Sequence, residues 1–452
     1  MTLTQDALVK NVRVLDPVAQ SDRLATVWIA NGIVEAINPD LDTVNPIANT
    51  PEAIDGQGCI LGPALVDLHS TLSDPGYESR ETLEEFLAAA TAGGFGHVAV
   101  LPHTEPAIAT PAQIYDLRQR VQTLRRNNPD LAQCLPWARA TVDRAGNQLT
   151  ELGELHPAGA VGFTDAQPST NPILSRRLLE YTAPLNCPIA LWAWNPTLAG
   201  SGHLFEGPET LRAGLGKIPI AAESAVVASQ LELGDSHTAP LHLMRVGSDR
   251  AVQLIRQGKI RNAKLTSSTT WLSLVVHTGH ITGDTNLVGC HSPAAPYDPN
   301  FHCYPPLPHP RQRDELIQGL KDGTLDAIAI DHHAYTYEEK TVAFGEAPVG
   351  TLGYGLALPL LWQALVETGD LEPLELWRAL TTGPAGILGL EIGAIAPGTP
   401  ANLILFNPKE PWTVTADTLK ARATNTPWLN RTIPGTIVKQ WRSLKSLGAV
   451  IN

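Results

Sequence analysis

Three side chains carry the chemistry that residue type alone can suggest: His69, Asp165 and Asp331. Each ends a short apolar run, in Val66-Asp67-Leu68-His69, Ala160-Val161-Gly162-Phe163-Thr164-Asp165 and Asp326-Ala327-Ile328-Ala329-Ile330-Asp331. One imidazole and two carboxylates can share a divalent cation, which polarises a carbonyl and makes hydroxide from water. Zinc, however, normally takes three or four protein donors, and His69 is followed by Ser70-Thr71 rather than by a second histidine. The alternative is a histidine hydrogen-bonded in an empty site, with two carboxylates that repel unless a side-chain cation sits between them.

Other groups of the same type are weaker candidates. His103, His302, His332 and His333 could form a second metal set, but adjacent residues of a strand point to opposite faces, so at most one of His332 and His333 would serve. His277 and His280, three apart, could share a helix face, and a surface or loop position is expected for them. Ser267-Ser268-Thr269-Thr270 lacks the Gly-x-Ser-x-Gly context of a nucleophile. Gly93-Gly94-Phe95-Gly96 is too short for a phosphate loop.

The elements that must position these residues fall into two textures. Ala7–Leu15, Ala25–Ala30 and Ile33–Ile37 are β-rich, and Asn31-Gly32 is a hairpin turn signal. Ala401–Phe406 and Thr436–Trp441 repeat that texture at the other end. Between them, strands such as His97–Pro102 alternate with helical runs such as Glu81–Ala92 and Arg313–Leu320. Alternating β and α units predict a parallel sheet with crossover helices, and the length favours a (β/α)8 barrel with its chemistry at the C-terminal strand ends. The expected organisation is a β domain built from both chain ends (residues 1–58 and 391–452) around a barrel over 59–390.

Composition sets outer limits. The chain has 452 residues, 43% of them hydrophobic and 17% charged, which fits a globular protein with a sizeable core. A net charge of −13 argues against nucleic acid as a partner. Five scattered cysteines (Cys59, Cys134, Cys187, Cys290, Cys303) form no CxxC pair, which argues against a cysteine-built zinc site and for a reducing compartment. Met1–Lys10 lacks an apolar signal core and no apolar run approaches membrane-span length, so a cytoplasmic protein with no membrane partner is expected. The ten tryptophans are expected mostly in core and barrel packing.

Longer motifs give a family resemblance that runs from end to end. Ile54-Asp55-Gly56-Gln57-Gly58 leading to Asp67-Leu68-His69, then Asp74-Pro75-Gly76-Tyr77-Glu78-Ser79-Arg80-Glu81-Thr82, resemble the dihydroorotases, cyclic amidohydrolases of pyrimidine biosynthesis. So do Leu101-Pro102-His103-Thr104-Glu105-Pro106, Gly319-Leu320-Lys321-Asp322-Gly323-Thr324 running into Asp331-His332, Phe344-Gly345-Glu346-Ala347-Pro348-Val349-Gly350 and Ala396-Pro397-Gly398-Thr399-Pro400-Ala401-Asn402. The resemblance implies an amidohydrolase barrel holding one or two zinc ions. It matches His69 to the first strand-one metal histidine, Asp165 to a bridging aspartate and Asp331 to the catalytic proton shuttle.

The same resemblance exposes departures. Thr71, Trp192 and Arg245 stand where the family has metal histidines. Ser73 and Pro308 stand at arginine positions, His103 and Tyr304 at asparagine positions, and Tyr335 where a histidine follows the catalytic aspartate. A bidentate arginine–carboxylate grip cannot be rebuilt from serine and proline. His103 and Tyr304 remain the candidate substrate contacts. Arg245 could place its guanidinium between the two aspartates and replace the metal charge, with Trp192 filling the vacated volume; the alternative is an Arg245 directed to solvent.

The resemblance therefore implies a dihydroorotase-like protein that has lost, or nearly lost, catalysis and serves as structural partner of aspartate transcarbamoylase in a homo- or hetero-oligomer, with zinc at reduced stoichiometry or no cofactor. Two rivals stay open. One is an active dihydroorotase with a reduced zinc site on His69, Asp165 and Asp331. The other is an amidohydrolase for a different, less acidic cyclic amide.

Overall fold

The computed structural model describes residues 6–39, 52–142, 146–168, 171–236 and 238–443. Its first strands are β1 (Ala7–Asp16), β2 (Ser21–Ala30), β3 (Ile33–Ile37), β4 (Glu52–Asp55) and β5 (Ile60–Pro63). Asn31 and Gly32 both take positive φ, 53° and 72°, the geometry that lets a two-residue turn follow the strand twist. They close a hairpin that pairs Ala30 with Ile33.

The last strands, β16 (Leu403–Thr413) and β17 (Thr432–Trp441), join the same sheet in the order β17-β16-β5-β1-β2-β3, with β4 also on β1. Both chain ends therefore build one layer. Its apolar side includes Val12, Val27, Ile29, Leu403, Leu405 and Trp441. This sheet reaches past residue 58: Ile60 and Leu61 are buried and pair with β1 on one side and β16 on the other.

Between these ends lies the barrel. Its strands are β6 (Leu65–Thr71), β7 (Phe95–Leu101), β8 (Gln133–Ala138), β9 (Gly162–Phe163) and β10 (Ile189–Trp192), then, after a small separate pair β11 (Leu204–Phe205) and β12 (Lys217–Ile218), β13 (Leu241–Met244), β14 (Leu265–Thr270) and β15 (Ala327–Ala329). The eight pair in parallel in chain order. The ring closes where β6 meets the segment after β15: Asp331 N donates to His69 O and Thr71 N to His332 O, both at 2.9 Å. This is a (β/α)8 barrel.

Local sequence sets the crossover helices. Leu83–Ala92 begins at Thr82, whose hydroxyl accepts from Glu85 N while the Glu85 carboxylate accepts from Thr82 N, a reciprocal cap that satisfies two otherwise orphaned donors. Pro310–Lys321 starts with proline at its first position, where no amide donor is needed. No helix among the described residues is long and apolar enough to cross a membrane.

Candidate functional site

The C-terminal strand ends gather Thr71, His103, Trp192, Arg245, Tyr304, Asp331 and His333 around one cavity of about 450 Å³. Asp67, on β6, is buried beneath it. Its Oδ1 accepts from His69 N (3.2 Å) and Ile330 N (3.0 Å), and its Oδ2 from the hydroxyls of Ser70 (2.5 Å) and Tyr354 (2.7 Å). Burial pushes its pKa up, and these bonds only partly offset that. Asp67 thus straps the first barrel strand to the last. In the sequence, Asp67 stands out only as part of the Asp67-Leu68-His69 run.

Arg245 and Asp331 meet above that strap. Arg245 Nε donates to Asp331 Oδ2 at 2.8 Å and Nη2 to Oδ1 at 2.7 Å, with both residues buried. Both leave their strands with left-handed backbones, φ 58° and 47°, a region non-glycine residues enter rarely. That turn swings the two side chains toward each other across the mouth. The guanidinium also lies 5.1 Å from the Trp192 ring centroid. Burial raises the Asp331 pKa, but Arg245, and after it His69, outweigh burial and hold the carboxylate well below its usual range.

His69 sits beside the pair without completing it. Its Nδ1 is 3.3 Å from Asp331 Oδ1, within ion-pair range but off line for a hydrogen bond, and neither ring nitrogen has a hydrogen-bond partner among the described residues. His333 is better placed. Burial lowers its pKa to about 4, so the ring is neutral near pH 7. Its Nδ1 lies 2.8 Å from the Asp331 carbonyl oxygen and donates to it, which leaves Nε2 to accept from the Thr71 hydroxyl at 2.9 Å.

Asp165 is not brought to this cluster. Its Oδ1 accepts from Ala140 N (3.1 Å) and Thr141 N (2.9 Å), and its Oδ2 from the Thr141 hydroxyl (2.7 Å). It lines a neighbouring cavity with Thr141 and Asn171. The expectation of one cation between two aspartates is corrected accordingly. Three donors on the β8 loop already satisfy Asp165, and Arg245 pairs with Asp331 and reaches Ala166 O at 3.4 Å instead.

The donor set does not fit a zinc ion. Both Asp331 oxygens are held by a guanidinium, Asp165 faces away, and Thr71 is engaged with His333. Among the described residues no group of three or more His, Cys, Asp or Glu side chains is arranged to hold a metal. The four-histidine alternative is dispersed as well. His302 Nδ1 donates to Ala347 O at 2.7 Å. His332 Nδ1 accepts from Gly353 N at 3.2 Å while its Nε2 faces the buried Glu81 carboxylate at 3.3 Å. His277 and His280, expected in a loop or at the surface, form a short turn with ring centroids 4.5 Å apart, and His280 is buried.

The cavity wall is aromatic. Trp192, Trp194 and Tyr304 cluster with centroid separations of 6.0, 5.3 and 5.7 Å, and His103 and Ser73 also line the space. Trp192, Trp194 and Trp271 line the cavity, whereas Trp137, Trp377, Trp428 and Trp441 are fully buried in packing away from it. Tyr335 donates its hydroxyl to Val349 O at 2.9 Å. A further ion pair escaped the sequence: Arg80 donates Nε and Nη2 to Glu339, 259 positions away. The nearest sequence signal was that Arg80 lies inside the Asp74–Thr82 motif that resembles the family.

The comparisons agree with this architecture. A family model described as dihydro-orotase-like matches residues 58–234, and an amidohydrolase family model matches residues 300–439. A probable dihydroorotase-like protein of Synechocystis sp. is 40% identical over 448 residues, covering 96% of this chain and 98% of that one. A dihydroorotase of Pelobacter propionicus is 34% identical over 435 residues, covering 95% and 96%. Among solved structures, the L-hydantoinase (dihydropyrimidinase) of Arthrobacter aurescens superposes with a TM-score of 0.80 at 19% identity, covering 97% of this chain and 95% of that one. At that identity the likeness concerns the fold.

Proposed function

The chain belongs to the dihydroorotase-like amidohydrolases, and from that premise we propose that it is a catalytically silent member in which an internal ion pair stands in place of the hydrolytic centre. The observation that carries this reading is the buried, two-bond contact between Arg245 and Asp331. A proton shuttle must take and release a proton near the working pH. Asp331 is held far below that range with both oxygens occupied, which makes it a poor base. Hydrolysis of a cyclic amide also needs a polarised carbonyl and an activated water, and Thr71, Trp192 and Arg245 offer no imidazole for a metal that would supply them.

A family member that keeps its fold without its reaction is retained for what it binds. We take that to be aspartate transcarbamoylase, as a structural partner in the cytoplasm; the five free cysteines fit a reducing compartment. The rival with one zinc on His69, Asp165 and Asp331 is favoured by the unsatisfied imidazole of His69, and opposed by the direction of Asp165. Interconversion of dihydroorotate and carbamoyl aspartate, assayed with added zinc and the cognate transcarbamoylase, separates the two. No turnover together with co-elution of the two proteins at micromolar concentration is expected. Turnover abolished by Asp331→Ala would overturn the silent reading, and failure to co-elute would overturn the partnership.

A further inference from the structure

The cavity at the barrel mouth, at about 450 Å³, has the size of a small-molecule site (roughly 300–1,000 Å³). Its arginines are closed on internal partners. Arg245 is held by Asp331. Arg80 is held by Glu339, with its guanidinium 4.7 and 4.9 Å from the ring centroids of Tyr77 and Tyr335. Both ring nitrogens of His333 are engaged, with the Thr71 hydroxyl and the Asp331 carbonyl. A carboxylate could take Arg245 only by displacing Asp331, and separating that buried pair is strongly unfavourable, while the charge of Arg80 is already matched by Glu339 in a partly exposed pair.

The polar groups left over are uncharged. The Tyr304 hydroxyl, the Gln167 amide and the Ser73 hydroxyl line the cavity, and none has a hydrogen-bond partner among the described residues. Apolar surface comes from the clustered rings of Trp192, Trp194 and Tyr304, which line the cavity and offer aromatic contact to a planar ring. Hydroxyls and an amide both donate and accept, so they pair with a ring edge that alternates N–H and C=O.

We propose that the barrel mouth binds an uncharged planar heteroaromatic ring, stacked on the Trp192–Trp194–Tyr304 wall and held at its edge by Ser73, Gln167 and Tyr304, and that it discriminates against the same ring bearing a carboxylate. The inference rests on the closed Arg245–Asp331 pair that also supports the silent reading, but it concerns binding and not turnover.

Uracil and orotate are a suitable pair of probes, because they share a planar ring and differ by one carboxylate. Isothermal titration of the full chain is expected to give at least about tenfold tighter binding of uracil than of orotate. Ser73→Arg, which adds an unpaired guanidinium to the wall, is expected to narrow or reverse that order. Orotate binding as tightly as uracil in the unaltered protein would overturn the proposal and mean that a cation leaves its internal partner. Binding of neither up to millimolar concentration would overturn the ring class while leaving the closed pair, and with it the silent reading, intact. Where Ser73→Arg fails to fold, the comparison on the unaltered chain decides alone.

Discussion

Removing Arg245 strands a buried carboxylate, and the cost can be worked from its surroundings. The two residues are 5% and 9% exposed and joined at 2.8 and 2.7 Å. Unit charges about 4 Å apart attract by about 4 kcal/mol at an effective dielectric near 20, and breaking a buried pair on one side typically costs about 3–5 kcal/mol. In Arg245→Met the nearest basic groups left to Asp331 are the imidazoles of His69 and His333, at 3.3 and 4.0 Å. The carboxyl can escape by binding a proton, which burial favours. From an unfolded value of about 3.9, that costs about 4 kcal/mol at pH 7 but about 1.5 kcal/mol at pH 5. At about 2 °C per kcal/mol, Arg245→Met should melt about 6–10 °C below the unaltered protein at pH 7, and about 3 °C below it at pH 5. The sign follows from linkage: the variant's folded state holds a proton that its unfolded state releases above pH 4, so acid lessens the loss. Arg245→Met with Asp331→Leu removes both charges and should recover most of the stability. Melts in chelator at both pH values measure this. A single variant within about 1 °C of the unaltered protein at pH 7, or a double variant no better than the single, would refute a closed pair.

His333 gives a second pH signature. Its folded pKa of about 4 lies below the ordinary histidine value, so the unfolded chain takes the proton first and stability falls as pH drops from 6.5 toward 4, by up to about 1.4 kcal/mol per pH unit. His333→Gln should lose about 2 kcal/mol less than the unaltered protein between pH 7 and 5 in urea unfolding, and parallel profiles would contradict a neutral buried ring. Metal uptake is the remaining test: the unaltered chain should carry substoichiometric zinc and show no change in melting temperature with chelator, whereas Thr71→His with Arg245→His places two imidazoles beside His69, frees Asp331 and should bind zinc stoichiometrically. Equal zinc in both proteins by elemental analysis would show that the donor set was misjudged.

The fold was legible where local chemistry is strong. Asn31-Gly32 announces its hairpin, and the Thr82/Glu85 cap marks a helix start within a residue or two of the expected Glu81. The strand Leu265–Thr270 was not, because its Ser and Thr residues resemble a loop. In place, Ser267 donates to Thr324 O and Thr269 to Val246 O, each at 2.8 Å. Hydroxyls that find carbonyls inside the barrel are tolerated where unpaired ones would not be, and that pairing is a tertiary fact. The site divides in the same way. Arg245 and Asp331 could be placed at one mouth because each ends a strand. Which way Asp165 turns depends on three donors from the loop after the preceding strand, β8, a choice that no spacing encodes.

Under the silent reading, the exchange of imidazoles for a guanidinium is conservative in one respect and final in another. A barrel mouth with a buried carboxylate needs a positive charge, and either a divalent ion or an arginine supplies it. The arginine is the more economical partner, since it comes with the chain and stacks on Trp192. But a guanidinium has no open coordination position, cannot lower the pKa of a bound water as a metal does, and does not give up its own proton in a protein. The substitution therefore keeps the electrostatics that stabilise the barrel while removing the means to make hydroxide. Loss of activity with full retention of fold is the combination expected from this pair, because the same two hydrogen bonds produce both.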